Sequence, residues 1–375
     1  MQIRATMFCL LFASFALYPH DSTGDQTSPS RLADLLGAEA DEGFATANEP
    51  RQFVFPADHG PHPDFRNEWW YFTGNLDSDE GLRFGYELTI FRFALSPRLP
   101  ESDSAWRTNQ VYIAHLAVTD VSGGRFYVAQ RYSRGALGLA GAQGEPFRVW
   151  LEEWEIASVP GSNDWRLVAA DEEFAVDVVL TPVRNPVLNG EAGLSRKSSM
   201  PGNASYYYSI PRLATGGTVR TGENDHKVSG LSWLDREWST SALDPDQVGW
   251  DWFALQLSDG SDLMFYGLRQ RDGGRDSFSA GTFIKPDGRI SHLADDDVEL
   301  EVLDSWVSPE GGTYPSLWKI SIPRLGLELM VTPVMADQEL FTTVRYWEGA
   351  VDVSGQRDSR AITGRGYVEL TGYAE

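Results

Sequence analysis

Residues 69–93, WWYFTGNLDSDEGLRFGYELTIFRF, decide the fold. Two aromatic runs flank Ser78-Asp79-Glu80-Gly81, a cluster of turn-forming residues, at the spacing of a β-hairpin. A second stretch, residues 249–270, GWDWFALQLSDGSDLMFYGLRQ, repeats the arrangement. Trp69, Trp70, Tyr71, Phe72, Leu76, Gly81 and Arg92 align with Trp250, Asp251, Trp252, Phe253, Leu257, Gly260 and Arg269, allowing a short gap at the turn. Two copies of one hairpin imply two equivalent units.

Outward from these hairpins the chain reads as short strands. VYIAHLAVTDV, GRFYVAQRYS, FRVWLEEWEI, WRLVAAD and FAVDVVLTPV follow the first. SFSAGTFIKPDGRI, VELEVLDSW, LWKISIP, LELMVTPV, TVRYWEGAVDVSG and GRGYVELTGY follow the second. No segment carries a long helical period. About eight strands per half without crossover helices must hide their edges by closing, which predicts an all-β protein of two antiparallel β-barrels, with two sandwiches as the alternative. The polar interval from Thr215 to Lys227 is the predicted boundary, giving units over 53–220 and 221–375. Residues 21–52 form a polar leader with one short helical pattern, Arg31 to Leu36, between Ser30 and Gly37. Residues 1–20 carry Arg4 and then MFCLLFASFAL, which has the length of a signal peptide's apolar core and predicts export to the periplasm or the extracellular space.

Composition excludes several functions. With 31 Lys+Arg against 54 Asp+Glu in 375 residues, the net charge of −23 opposes nucleic acid and anionic lipid surfaces. The single cysteine, Cys9, leaves no disulfide framework and no thiol nucleophile in the mature chain. There is no Gly-x-Ser-x-Gly elbow and no Gly-rich phosphate loop opening a helix, so no cofactor is expected. The 13 Trp, 14 Tyr and 19 Phe favour strands and line apolar pockets.

Three constellations are candidates for chemistry. Asp58-His59-Gly60-Pro61-His62-Pro63-Asp64 places two imidazoles beside carboxylates. The prolines flanking His62 forbid helical metal-ligand geometry and no third His follows at a recognisable spacing. No metal is expected there; a structured loop is, or acid–base work by His59. In Trp233-Leu234-Asp235-Arg236-Glu237-Trp238, strand alternation puts Asp235 and Glu237 on one face and Arg236 on the other. Charges among large aromatics are costly to bury unless paired, so either Arg236 neutralises a carboxylate or one carboxyl stays protonated. In the third, Asp251 alternates with Phe253, Leu255 and Leu257 on an apolar face. Its proton affinity should rise, which makes it the leading general-acid candidate. Tyr266 follows on the next strand. Trp69, Trp70, Tyr71, Trp238, Trp250, Trp252 and Arg236 are the candidate ligand-binding residues. His115, in an apolar strand, reads as a core histidine bonded to a neighbour. Arg131, Arg134, Arg196 and Lys197 meet either a ligand's anionic head or surplus carboxylates.

FPADHGPHPDFRNEWWYFTGNL, GYELTIFRF, GLSRKSSMPGNASYYYSIPRL, GLSWLDREWS, GWDWFALQL and RYWEGAVDVSG with GRGYVELTGY resemble the AttH-type secreted proteins of the carotenoid 1,2-hydratase superfamily over about Phe53 to Tyr373. The resemblance implies two lipocalin-like barrels and an elongated, largely apolar ligand. It spans hydratases of carotenoid double bonds, fungal polyene cyclases, and AttH-type members often encoded beside ABC-transporter components. Hydratase-type members have a His-x-Trp-like element and a Tyr-Asp pair at the two strands of the second hairpin. The resemblance sets Asp251 in the His position, matches Trp252 and Tyr266, and sets Gly267 in the Asp position. Two readings stay open: an enzyme transferring protons to an apolar, isoprenoid-like substrate through Asp251, Glu237 or Asp235, with Tyr266 and the tryptophans stabilising a cation; or a non-catalytic carrier working with a membrane transporter.

Overall fold

The computed structural model describes residues 43–240 and 243–374, together with the backbone of the strand Ser30–Arg31. The signal segment, Cys9 and most of the leader lie outside the described residues, as does the helical pattern beyond Arg31. The Ser30–Arg31 backbone itself is extended and pairs in parallel with Val344 and Arg345.

Two sheets, of 13 and 11 strands and otherwise antiparallel, make up the described chain. In the first, the hairpin Asn67–Ser78/Arg83–Ala94 continues on one side into Gln110–Asp120 and Arg125–Arg134. On its other side lies the long hairpin Ala204–Thr221/Asn224–Ser239, followed by Phe174–Pro182 and four shorter strands. This sheet curls into a nearly closed barrel. In the second, the hairpin Gln247–Leu257/Asp262–Gln270 is flanked by Ala280–Ile284 and Ile290–Ala294 on one side. On the other come Arg360–Thr371, Val344–Arg357, Leu327–Pro333, Thr313–Ile322 and Glu299–Val307, and the whole forms a half-barrel. The expected all-β architecture of two lipocalin-like barrels is the one observed, the second unit being the less closed.

The repeated hairpins are equivalent in detail. Gly81 and Gly260 both turn at φ +84°, a left-handed conformation that glycine adopts without steric cost. Phe72 and Phe253 each enter the core of their own sheet. Arg92 and Arg269 each reach an acidic partner inside it, Glu68 and Asp251.

The boundary at 215–227 is corrected by the topology. Thr221 faces Asn224 across a tight turn, so this interval is the tip of a hairpin within the first sheet. The chain leaves that sheet at Ser239 and enters the second at Gln247. Residues 222–225 project into solvent, and a polar, Gly-containing tip carries the composition of a linker.

Burial patterns explain why the aromatic strands fail to alternate. Trp165–Ala170 alternates buried and exposed residues, one face on the core and one in water. Arg83–Ala94 and Asp262–Gln270 are buried almost throughout, because their outer faces pack against the other sheet. Tyr71, Tyr207, Trp233, Trp252, Met264, Tyr266 and Tyr367 form a third apolar cluster between the two cores. Along this seam Asn75 Nδ2 donates to the Gly366 carbonyl at 2.9 Å and Gln256 Nε2 to the Pro211 carbonyl at 2.7 Å. Gly85 marks a close approach of the two sheets: a Cβ there would stand 2.7 Å from Ala350 Cβ.

Candidate active site between the barrels

The strand Asn224–Ser239 shows how alternation builds the site. Leu234, Arg236 and Trp238 point into the first barrel, whereas Trp233, Asp235 and Glu237 point out to the seam. Opposite them, Trp250, Trp252, Tyr266 and Leu268 project from the second sheet's hairpin, and Glu369 from Arg360–Thr371. Trp69, Tyr71 and Phe91 complete the wall from the first hairpin. The cavity, partly open to solvent, has a volume of ≈ 70 Å³. Since about 10–15 Å³ of such volume holds one water, it has room for several waters or for a small organic group. The elongated ligand that the resemblance implies fits only if the seam widens or part of the ligand stays outside the opening.

Of the residues expected from the sequence, Trp69, Tyr71, Asp235, Glu237, Trp250, Trp252 and Tyr266 line this cavity. Asp251 does not. It faces the second sheet's core, where its carboxyl takes Arg269 Nε at 3.0 Å and the Tyr373 hydroxyl at 2.8 Å. Burial raises its proton affinity, as expected, against the Arg269 charge. Residues two apart share a strand face, so the cavity-side companion of Trp252 is Trp250; a His-x-Trp element would put its imidazole at position 250, not 251. On the next strand the residue beyond Tyr266 on the same face is Leu268, so this hairpin offers the cavity no carboxylate.

Trp70, Trp238, Arg236 and His59 belong to a different place, the end of the first barrel. Glu68 accepts hydrogen bonds there from Arg92 and Arg236, both almost completely buried. Arg236 also stacks over the Trp70 ring at 4.0 Å. Burial alone would raise the Glu68 carboxyl, but the two guanidiniums override it and hold it well below the usual carboxylate range. His62 stacks on Trp238 with ring centroids 3.7 Å apart and contacts Asp58 at 3.1 Å. His59 Nδ1 lies 2.7 Å from the Tyr208 hydroxyl, and burial pushes the imidazole down to about 4. These contacts give the loop its structure. Among the described residues no group of three or more His, Cys, Asp or Glu is placed to hold a metal ion. His115 is a buried histidine at the seam, its Nδ1 2.6 Å from the Tyr346 hydroxyl. Arg131 pairs at the surface with Glu153.

Sequence reading missed Tyr207 and Glu369 and left Lys197 ambiguous. Lys197 Nζ sits 3.1 Å from Glu237 and 4.1 Å from the centre of the Tyr266 ring. Burial opposes its charge, but Glu237 and Tyr266 override that and raise its proton affinity. Asp235 accepts from the Tyr207 hydroxyl and from Trp233 Nε1 at 2.7 Å; burial nevertheless pushes it up to about 6. Glu369 accepts from Trp250 Nε1 at 3.0 Å. Burial, reinforced by Asp235 and Glu237, pushes its carboxyl up to about 8, so that it holds a proton at neutral pH. A neutral acid, a carboxyl poised near neutrality and an ammonium–carboxylate pair thus surround one small aromatic chamber, which is a competent arrangement for proton transfer.

Fold and site together define a double lipocalin-like β-barrel protein with an acidic chamber between its barrels. The AttH-like family pattern matches residues 46–373, and the chain belongs to that family. It is similar to the crystal structure of a protein described as an AttH from Nitrosomonas europaea, with 35% identity and a TM-score of 0.79, covering 88% of this chain and 100% of that one. Kievitone hydratase from Nectria haematococca, 16% identical with a TM-score of 0.65, is covered over 97% of its chain by 89% of this one. CghA, solved with Sch210972, is 12% identical with a TM-score of 0.53, at the same coverages. At those identities the last two share the fold. A comparison with curated protein sequences gives no match.

Proposed function

We propose that the protein adds water to, or removes it from, an unsaturated apolar small molecule held in the chamber between the barrels. The observation that carries this reading is Glu369: a carboxyl in the cavity wall that accepts from Trp250 Nε1 and faces Asp235 and Glu237 with no cation of its own among the described residues, so that burial and the two acids push it up to about 8. In the hydration direction the Glu369 O–H bond breaks and its proton goes to one carbon of the double bond. The cation left on the other carbon faces the rings of Trp250, Trp252 and Tyr71. A water held beside Lys197 attacks that carbon and gives its proton to Glu237 or Asp235. The resemblance to hydratases and the fold shared with kievitone hydratase support the reaction class. Export belongs to the same proposal and is tested by locating the mature protein; delivery of an unconverted ligand to or from a membrane transporter is the alternative, tested by cross-linked partners.

The test is incubation of purified protein with apolar extracts in ¹⁸O-labelled water, followed by mass spectrometry for compounds that gain labelled water. The expected result is labelling by wild type that Glu369→Gln abolishes. Copurification of an apolar ligand that neither protein converts would instead establish the carrier reading.

A further inference from the structure

Behind Glu369, itself only half-buried, the seam fully buries two carboxyls that the reaction above does not use. Glu348 is the direct cross-strand partner of Glu369, so the two side chains leave the same face of the second sheet side by side. Glu87 projects from the first sheet's Arg83–Ala94 strand into the same interface. Both Glu87 and Glu348 have no exposed surface. The Tyr71 hydroxyl, on a residue that lines the cavity, donates to Glu348 Oε2 at 2.8 Å. Thr89 donates to Glu87 Oε1. Glu87 Oε2 and Glu348 Oε1 have no hydrogen-bond partner among the described residues.

A buried carboxylate needs a cation or several donors. Here the ionisable groups facing the pair are Glu369, Tyr71, Tyr346 and Tyr367, with His115 alongside, held neutral by burial. Asp235 and Glu237 face Glu369 from the first sheet. The nearby cations are engaged elsewhere, Lys197 with Glu237 and Arg83 with Asp352. Among the described residues no Lys or Arg acts on Glu87 or Glu348, and burial together with Glu369 raises the proton affinity of both.

We propose that Glu87, Glu348 and Glu369 form one coupled carboxyl array across the seam, in which Glu87 and Glu348 are positioning residues that hold their protons while the cavity carboxyl gives up its own. The array rests on the acid role of Glu369 proposed above. Three carboxyls this close cannot all ionise together, because the first negative charge opposes the next. When Glu369 gives up its proton, its new charge opposes ionisation of Glu348 and Glu87, so both keep their protons and the negative charge stays on the cavity carboxyl, where Trp250 Nε1 donates to it. Water reprotonates the array when the product leaves.

The test is infrared spectroscopy of the full chain labelled with ¹³C-glutamate, in which the carbonyl stretch of a protonated carboxyl is separate from that of a carboxylate. Wild type is expected to show protonated glutamate at pH 7 and to retain part of that signal above pH 8. Glu369→Gln, Glu348→Gln and Glu87→Gln are each expected to remove one component. In Glu369→Gln the surviving components should titrate about one pH unit lower, because a like charge has gone. Loss of a component in Glu369→Gln, with none lost in the other two or with unshifted midpoints, overturns the array and leaves the acid role standing. A Glu369→Gln spectrum identical to wild type overturns the acid role instead. Should a variant fail to fold, the wild-type titration decides: complete ionisation of all glutamates below pH 7 refutes both.

Discussion

Glu68 and Glu87 lie on neighbouring strands of one sheet, both fully buried, and their carboxyls are driven in opposite directions. Glu68 points into the first barrel and meets Arg92 and Arg236; Glu87 points to the seam and meets no cation among the described residues. Burial raises both, and the counter-charge alone decides the outcome. The barrel end is therefore a structural ion network, closed to further chemistry, while the seam stores protons beside a cavity.

The contrast breaks most visibly at Arg236. Replacing it with alanine leaves Glu68 with one guanidinium, removes the stack on Trp70, and keeps a buried carboxylate half-neutralised. Arg236→Ala should lose about 3–5 kcal/mol in urea denaturation. A loss below about 1 kcal/mol would mean that water reaches this network and that the two regions differ less than their burial suggests.

A pH titration of stability sharpens the comparison, since the two regions respond with opposite sign. The Glu68 carboxyl is lowered by folding, so its contribution is complete above its unfolded value of 4.5 and is lost as pH falls. Glu369 is raised from 4.5 to about 8, so below pH 4.5 both states hold its proton and nothing is lost. Between 4.5 and about 8 the unfolded chain ionises first and stability falls, at about 1.4 kcal/mol per pH unit for one group. Urea midpoints should therefore decline from pH 5 to pH 8, and Glu369→Gln should make that limb shallower by the share of one group, about 1.4 kcal/mol per pH unit, while Asp235, Asp262, Glu87 and Glu348 keep the rest of it and the acid limb is unchanged.

How much of this was legible in the sequence follows from which contacts are local. Alternation within one strand correctly separates Asp235 and Glu237 from Arg236, and the repeated hairpins give the fold. Alternation applied to Trp69 and Trp70 would also have parted them, one to the cavity and one to the core. Glu369 and Glu87 sit in ordinary-looking strands, YVEL and YELT, where an acid on the face opposite a core leucine reads as solvent-exposed. What makes them special is that a second sheet covers that face, a long-range fact with no local signature. The hairpin tip at 222–225 misled for the converse reason: composition marks a turn without saying whether the chain changes sheets there.

Tight packing of the seam is tested at Gly85, whose missing side chain lets the barrels meet. Gly85→Val forces branched atoms toward Ala350 and should cost about 1–3 kcal/mol, the range for overpacking a buried contact. It should also enlarge or distort the cavity, read as a change in tryptophan fluorescence from Trp250 and Trp252, whereas valine on an open face would change neither.

The smallest effect is expected at Asp251, and it separates the repeat from the reaction. Asp251 is the second hairpin's counterpart of the inward-facing position at Trp70, and its carboxyl is held by Arg269 and Tyr373 on the core side of the sheet. Asparagine keeps the shape and can still accept from Arg269 and Tyr373, but gives up the ion pair with a guanidinium that remains partly exposed. The stability cost should be about 1 kcal/mol, that of weakening a charged hydrogen bond without leaving a cavity. Because the backbone strand and the faces of Trp250 and Trp252 are untouched, ligand binding and water transfer in Asp251→Asn should match wild type within experimental error. A variant that folds with normal stability yet loses either would return the catalytic role to the core-facing carboxyl and empty the seam of its chemistry.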